Sequence, residues 1–313
     1  MRTERLLTPI RAAERFVFAP EDARRLAALR IGLCSLLALR LATRDFTFVA
    51  DQPAALYQPV SFMKLLGEMP SHDLTVVLQV GGVAAALLAA AGLWTRISLP
   101  LAFACALVLE GMLNSTGKIV HNEVLLMLCV VPLLAAPGAA SAAWTLRAPG
   151  MRPPAARSPR GEAFGWPLRT AMIVVALAYF FVGFQKLRFS GFEWATSDNL
   201  RWILYSSSDS QGDANPIALF VADRAWLAHL LAAATIAIEL CFPLALFVPR
   251  LRWLFVPAAV SLHAGIWLAM GLDYSAQALT VIIVFVNWPL VVDWVRRRIA
   301  ATARPPSPQR ARG

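Results

Sequence analysis

Of the 313 residues, 58% are hydrophobic and 15% charged, and the mean hydropathy is +0.59. That balance excludes an ordinary soluble domain and defines a polytopic membrane protein. The net charge of +10 does not point to nucleic acid, because the arginines gather at the chain ends and in one loop rather than along an aromatic-bearing face.

The chain opens on MRTERLLTPIRAAERFVFAPEDARR, which has no apolar core followed by a small-residue cleavage site. Residues 1–24 are therefore expected to form a cytoplasmic amphipathic segment, with the first span as its own insertion signal. Apolar runs predict about eight spans, at 25–43, 74–94, 97–116, 120–136, 168–187, 226–248, 252–271 and 276–294. The expected fold is all-α, a polytopic transmembrane helical bundle over residues 25–295. Three mixed-polarity stretches, 4–18, 54–69 and 197–207, read as interfacial.

Orientation follows from the basic residues. With the N-terminus inside, 20 Lys and Arg fall in inner segments and 7 in outer ones, so both termini are expected to be cytoplasmic. The loop at 137–167 is rich in Pro, Ala and Arg and reads as a flexible cytoplasmic linker. Residues 296–313 read as a basic disordered tail, and 188–225 as a long outer loop of the kind that forms a lid or binding element. The four cysteines lie in apolar runs and imply no disulfide framework.

Charged groups at bilayer depth are costly unless paired or hydrated. This chain places Arg30, Arg40, Glu110, His121, Glu123, Lys186, Glu239 and His263 there. Helix direction assigns Glu110, Lys186, His121, Asn122 and His263 to the outer half, where one cavity would hold Lys186, His121 and His263 with Glu110 or Asp273. Lys186 is one of three lysines against 26 arginines. Arginine cannot lose its proton in a protein, whereas a desolvated lysine can act as a base. Its ordinary reading is a snorkelling anchor. For His121 and His263 the ordinary reading is a hydrogen bond to a neighbouring helix, and the functional one is contact with a polar ligand head or a proton relay. Glu239 is expected to pair with Arg30, while Glu110 either joins the cavity as a substrate-binding group or satisfies Lys118 or Asn114. No histidine or cysteine spacing supports a metal or haem site, and no GxGxxG, P-loop or GxSxG is present.

Five segments carry a likeness. They are LRIGLCSLLALRL, GKIVHNEVLLML, AYFFVGFQKL, ELCFPLALFVPRLR and SLHAGIWLAMGLDY. In order and spacing they resemble the HTTM (horizontally transferred transmembrane) family, bacterial relatives of the membrane domain of vitamin K-dependent γ-carboxylase. The resemblance implies a multi-pass protein of a bacterial inner membrane that binds vitamin K hydroquinone or menaquinol. It implies that Lys186 is the base that deprotonates the quinol, with His121 and His263 at the quinol pocket. An apolar pocket opening to the outer leaflet would receive the ring, and oxygen would then give epoxide or quinone. The chain lacks the large extra-membrane domain of a full carboxylase, and Gln185 stands where the animal enzymes carry a second basic residue, which argues against protein carboxylation by this chain alone. The expected partners are membrane lipid and quinone. The alternative is a non-enzymatic membrane partner that matures, exports or gives immunity to a secreted peptide, or acts with a neighbouring membrane protein.

Overall fold

The computed structural model describes residues 11–145, 160–210 and 214–302. The first ten residues of the N-terminal segment, residues 146–159 of the expected linker and residues 303–313 of the expected tail lie outside this description. Eleven helices carry the architecture: α1 Ala23–Thr43, α2 His72–Ala91, α3 Thr95–Asn114, α4 Val124–Ala135, α5 Glu162–Ser190, α6 Asn199–Ser210, α7 Pro216–Ala222, α8 Ala225–Cys241, α9 Arg252–Met270, α10 Ser275–Phe285 and α11 Trp288–Thr302. A two-residue antiparallel pair, Glu21–Asp22 with Arg160–Gly161, closes the start of α1 against the start of α5.

The result is a membrane-type helical bundle. Among the described residues, five helices are long and apolar enough to cross a bilayer, or up to seven if each of two bent pairs counts as one span. The bent pairs are α7 with α8, at 98°, and α10 with α11, at 76°.

The central element is α1. Asp22 caps it by accepting from the Arg24 amide at 2.8 Å, and α2, α4, α5 and α10 pack around it. Close approach depends on small residues, as expected where helices associate without a hydrophobic driving force. A Cβ placed on Gly32 would meet Ile283 Cγ2 of α10 at 2.6 Å, and one on Gly183 would meet Glu239 Cβ of α8 at 2.8 Å.

Proline accounts for two departures from the expected spans. The sixth apolar run does not continue to residue 248: α8 ends at Cys241, just before Pro243, and a four-residue turn, Leu244–Phe247, follows. The eighth run breaks between Phe285 and Trp288, ahead of Pro289. In both places proline removes a ladder donor: Pro243 has no N–H for the Glu239 carbonyl, and Pro289 has none for the Phe285 carbonyl. The fourth helix also begins later than expected, at Val124, because Asn114 Oδ1 accepts from the Val120 amide at 2.5 Å and Gly117 takes φ +88°. The expected outer loop at 188–225 is largely helical, with α6 and α7 packed on Ala269 and Met270 at the end of α9.

Candidate functional site

Charged side chains collect at both ends of α1. At its start, Arg24 bonds Asp293 at 3.1 Å, Arg25 bonds Glu21 at 2.6 Å, and Arg169 bonds the Phe16 carbonyl at 2.6 Å. At its far end a connected network runs across four segments. Arg44 reaches Glu110 at 3.2 Å and Glu123 at 3.0 Å, while Arg40 reaches Glu123 at 2.6 Å and Asp273 at 2.7 Å. Glu110 therefore pairs with Arg44 instead of satisfying Lys118. Asn114 Nδ2 donates to the Glu110 backbone oxygen, leaving the Glu110 carboxylate to Arg44.

Arg30 is completely buried and has no part in that network. Its Nη1 donates to the Ala140 carbonyl at 2.7 Å, and its Nη2 donates to the carbonyls of Trp144 at 2.8 Å and Ala90 at 3.2 Å. The expected Arg30–Glu239 pair is absent: Arg30 is held by backbone carbonyls, and the close approach of α8 to α5 at Gly183 sets Glu239 there. There Glu239 bonds Lys186 of α5. The Lys186 ammonium also lies 4.8 Å from the centre of the Trp194 ring. Within the pair, Glu239 is 5% exposed and its Oε2 has no protein partner among the described residues.

Tyr179, Gly183 and Lys186 lie at i, i+4 and i+7 on α5, which sets them along one stripe. Tyr179 stacks on Phe242 with ring centres 4.4 Å apart, and its hydroxyl lies 2.7 Å from Nε2 of His263 on α9. His263 is 8% exposed, and its Nδ1 is buried without a protein partner among the described residues. Tyr274 stands next, its ring centre 5.9 Å from that of His263, and its hydroxyl lies 3.2 Å from Nε2 of His121.

A cavity of about 510 Å³ opens between α9 and α10. His263, Asp273 and Ser275 supply its polar wall, and Val260, Trp267 and Ile282 are among its apolar lining. Its lining is mostly apolar with a few polar groups. Burial works to raise the pKa of Asp273, but hydrogen bonds from Ser275 and the Arg40 guanidinium outweigh it and take the carboxyl down to about 2. Burial pushes the neighbouring Tyr274 phenol above its usual range. The Asp273 carboxylate on the cavity wall is thus held ionised and paired with Arg40.

The expected single cavity is only partly present. His263 and Asp273 line it; Lys186, His121 and Glu110 are not among its lining residues. Asn122 precedes α4 and donates to the Asp273 backbone oxygen at 2.6 Å, so it shapes the loop that carries Asp273. Sequence reasoning passed over Tyr179, Tyr274 and Arg44. The signal available was scarcity: of four tyrosines in the chain, two lie against histidines. Among the described residues, no group of three or more His, Cys, Asp or Glu side chains can hold a metal ion.

Fold and site together define an all-helical membrane protein with a lateral apolar cavity and a buried acid–base pair. No protein-family model, curated protein or solved structure matches the chain.

Proposed function

We propose that the protein binds a quinol-like amphipathic molecule in the cavity between α9 and α10 and takes up a phenolic proton there. The observation that carries this reading is His263: it lines an apolar cavity, Tyr179 holds its Nε2 at 2.7 Å, and its Nδ1 is buried without a protein partner among the described residues. A buried polar atom left unpaired costs about 1–3 kcal/mol, which a ligand hydroxyl at Nδ1 would remove. The residues fit such a group, since a ring and tail match the apolar lining and a phenolic oxygen matches the imidazole.

The chemistry follows from the two tautomers of one imidazole. When Nε2–H donates to the Tyr179 oxygen, Nδ1 is a lone-pair acceptor for a phenolic proton. Once Nδ1 is protonated and the Tyr179 oxygen takes the Nε2 proton as its own hydroxyl proton leaves toward Glu239, Nδ1–H becomes a donor suited to a carbonyl oxygen. The α5 stripe continues from Tyr179 to Lys186 and Glu239, and we assign the unpartnered Glu239 Oε2 as the terminal acceptor, with Lys186 holding that carboxylate. Lys186 then serves proton transfer through Glu239 instead of touching the ligand. A bound quinol would supply two electrons to dioxygen, giving quinone with hydrogen peroxide, or four, giving quinone epoxide with water, as the likeness to the γ-carboxylase membrane domain implies.

In this reading the chain makes eight membrane segments with both termini cytoplasmic in a bacterial inner membrane, and the Arg40–Asp273 network faces outward. The test uses full-length protein in nanodiscs, with reduced menaquinone binding measured without oxygen and products identified by mass spectrometry after oxygen is admitted. Wild type is expected to bind and turn over quinol. His263→Ala should lose binding at least tenfold, and Lys186→Ala should lose turnover. Undiminished binding by folded His263→Ala would overturn the assignment.

A further inference from the structure

The eighth apolar run was expected to end a transmembrane span, yet its second half, α11, turns 76° away from α10. Helix α10 runs alongside α1, with Ile283 against Gly32 and Asp273 near its start bonded to Arg40. A helix turned that far from the bundle lies closer to the membrane plane than to its normal.

The side chains of α11 match such a placement. Leu290, Val291, Trp294, Val295 and Ile299 are all exposed, and at about 100° per residue they share one broad face. The opposite side faces the protein, where Pro289 is buried and Asp293 bonds Arg24 at 3.1 Å. Arg296, Arg297 and Arg298 are exposed and consecutive, so they fan around the helix. Arg298 folds over the Trp294 ring with its guanidinium carbon 5.4 Å from the ring centre. Asp293 is the one acidic residue of α11, and its partner is Arg24. Among the described residues, none of the three guanidiniums forms a salt bridge with a carboxylate.

Three adjacent arginines cannot lie in hydrocarbon, and an exposed apolar face of this breadth cannot rest in water. An interface between the two satisfies both faces. We propose that α11 is an interfacial helix that binds the anionic lipid headgroups of the leaflet at the Arg24 end of the bundle. Its apolar face would enter the acyl boundary, and Arg296, Arg297 and Arg298 would contact lipid phosphates. Charge complementarity favours lipid over a second copy of the chain, whose α11 would bring the same three positive charges.

The experiment reads Trp294 emission from full-length protein in nanodiscs, as the difference between wild type and Trp294→Phe. Brominated phosphatidylglycerol or brominated phosphatidylcholine is introduced at the same low mole fraction. The anionic lipid is expected to quench several-fold more strongly, with the excess removed by high salt and in Arg296→Gln/Arg297→Gln/Arg298→Gln. The salt arm needs no variant beyond the Trp294→Phe reference, so a folding defect in the triple variant does not blunt the test. Equal quenching by both lipids would overturn headgroup recognition. No quenching by either, with Trp294 shielded by self-association, would overturn the interfacial placement itself.

Discussion

The Lys186–Glu239 pair yields the most discriminating prediction, because its structural and chemical roles separate under double substitution. Glu239 is 5% exposed and Lys186 retains 21% side-chain exposure, with the ammonium also over Trp194. Removing one partner of a buried pair costs about 3–5 kcal/mol, whereas replacing both by apolar groups is often neutral. The two single changes should differ. Lys186→Met strands a carboxylate that already has one unpartnered oxygen, and should cost about 3 kcal/mol, near the low end of that range. Glu239→Gln leaves the lysine its ring contact and its exposure, and should cost about 1–2 kcal/mol. The double variant Lys186→Met/Glu239→Leu should return to within about 1 kcal/mol of wild type. Unfolding in graded denaturing detergent measures all four proteins, and quinol turnover on the same samples reads the chemistry. The proposal requires a double variant that is stable and inactive. A double variant as unstable as Lys186→Met would refute the pairing argument, and one with full turnover would refute the role in proton transfer.

Two further predictions rest on single contacts. Asp273 has a folded pKa near 2 against an ordinary carboxylate value of about 4, so its hydrogen bonds from Ser275 and its pairing with Arg40 contribute stability that is present above about pH 4 and is lost as pH falls toward 2. The difference in Tm between wild type and Asp273→Asn should therefore hold steady from pH 8 to pH 5 and shrink only below about pH 4; a difference already gone at pH 6 would contradict it. At Gly183 an added Cβ would meet Glu239 Cβ at 2.8 Å and Leu240 Cγ at 3.2 Å, whereas at Gly265 it would meet nothing within 4 Å. Gly183→Ala should cost about 1–3 kcal/mol, while Gly265→Ala should leave Tm unchanged or slightly raised; equal Tm values for the two would deny the close approach of α5 and α8.

Helix existence was legible in the sequence because apolar length is what a bilayer demands, and α1, α2, α3 and α9 lie within a few residues of their expected runs. Where the expectation overran, the stop signals were already written as Pro243 and Pro289, but hydropathy averages over a proline that contributes little to the mean. The polar residues were legible one at a time for the same physical reason, their cost in lipid. Their partners were not, because hydropathy fixes depth and says nothing about azimuth. Glu239 was set against Arg30 on an assumed depth, and the contact of α8 with α5 at Gly183 places it against Lys186. His263 could be singled out by type, while its bond to Tyr179 depends on how α5 and α9 face one another.

Several buried polar groups keep an unpaired atom among the described residues, Arg30 Nε and Glu123 Oε2 included, and what lies beside that atom distinguishes them. Arg30 is fully buried, yet both of its terminal nitrogens reach backbone carbonyls, those of Ala140, Ala90 and Trp144, so it closes the α2 end against the segment after α4 and has little left to offer a ligand. Glu123 forms ion pairs with Arg40 and Arg44, although its Oε2 makes no hydrogen bond among the described residues. Glu239 and His263 each keep one buried polar atom that no described protein group engages, and Tyr179 stands on the α5 stripe between them. A bundle built for stability alone gains by filling such positions with apolar side chains. Two unpaired atoms beside one phenol, with one of their residues on the wall of an apolar cavity, are costs that a bound hydroxyl and a mobile proton would offset.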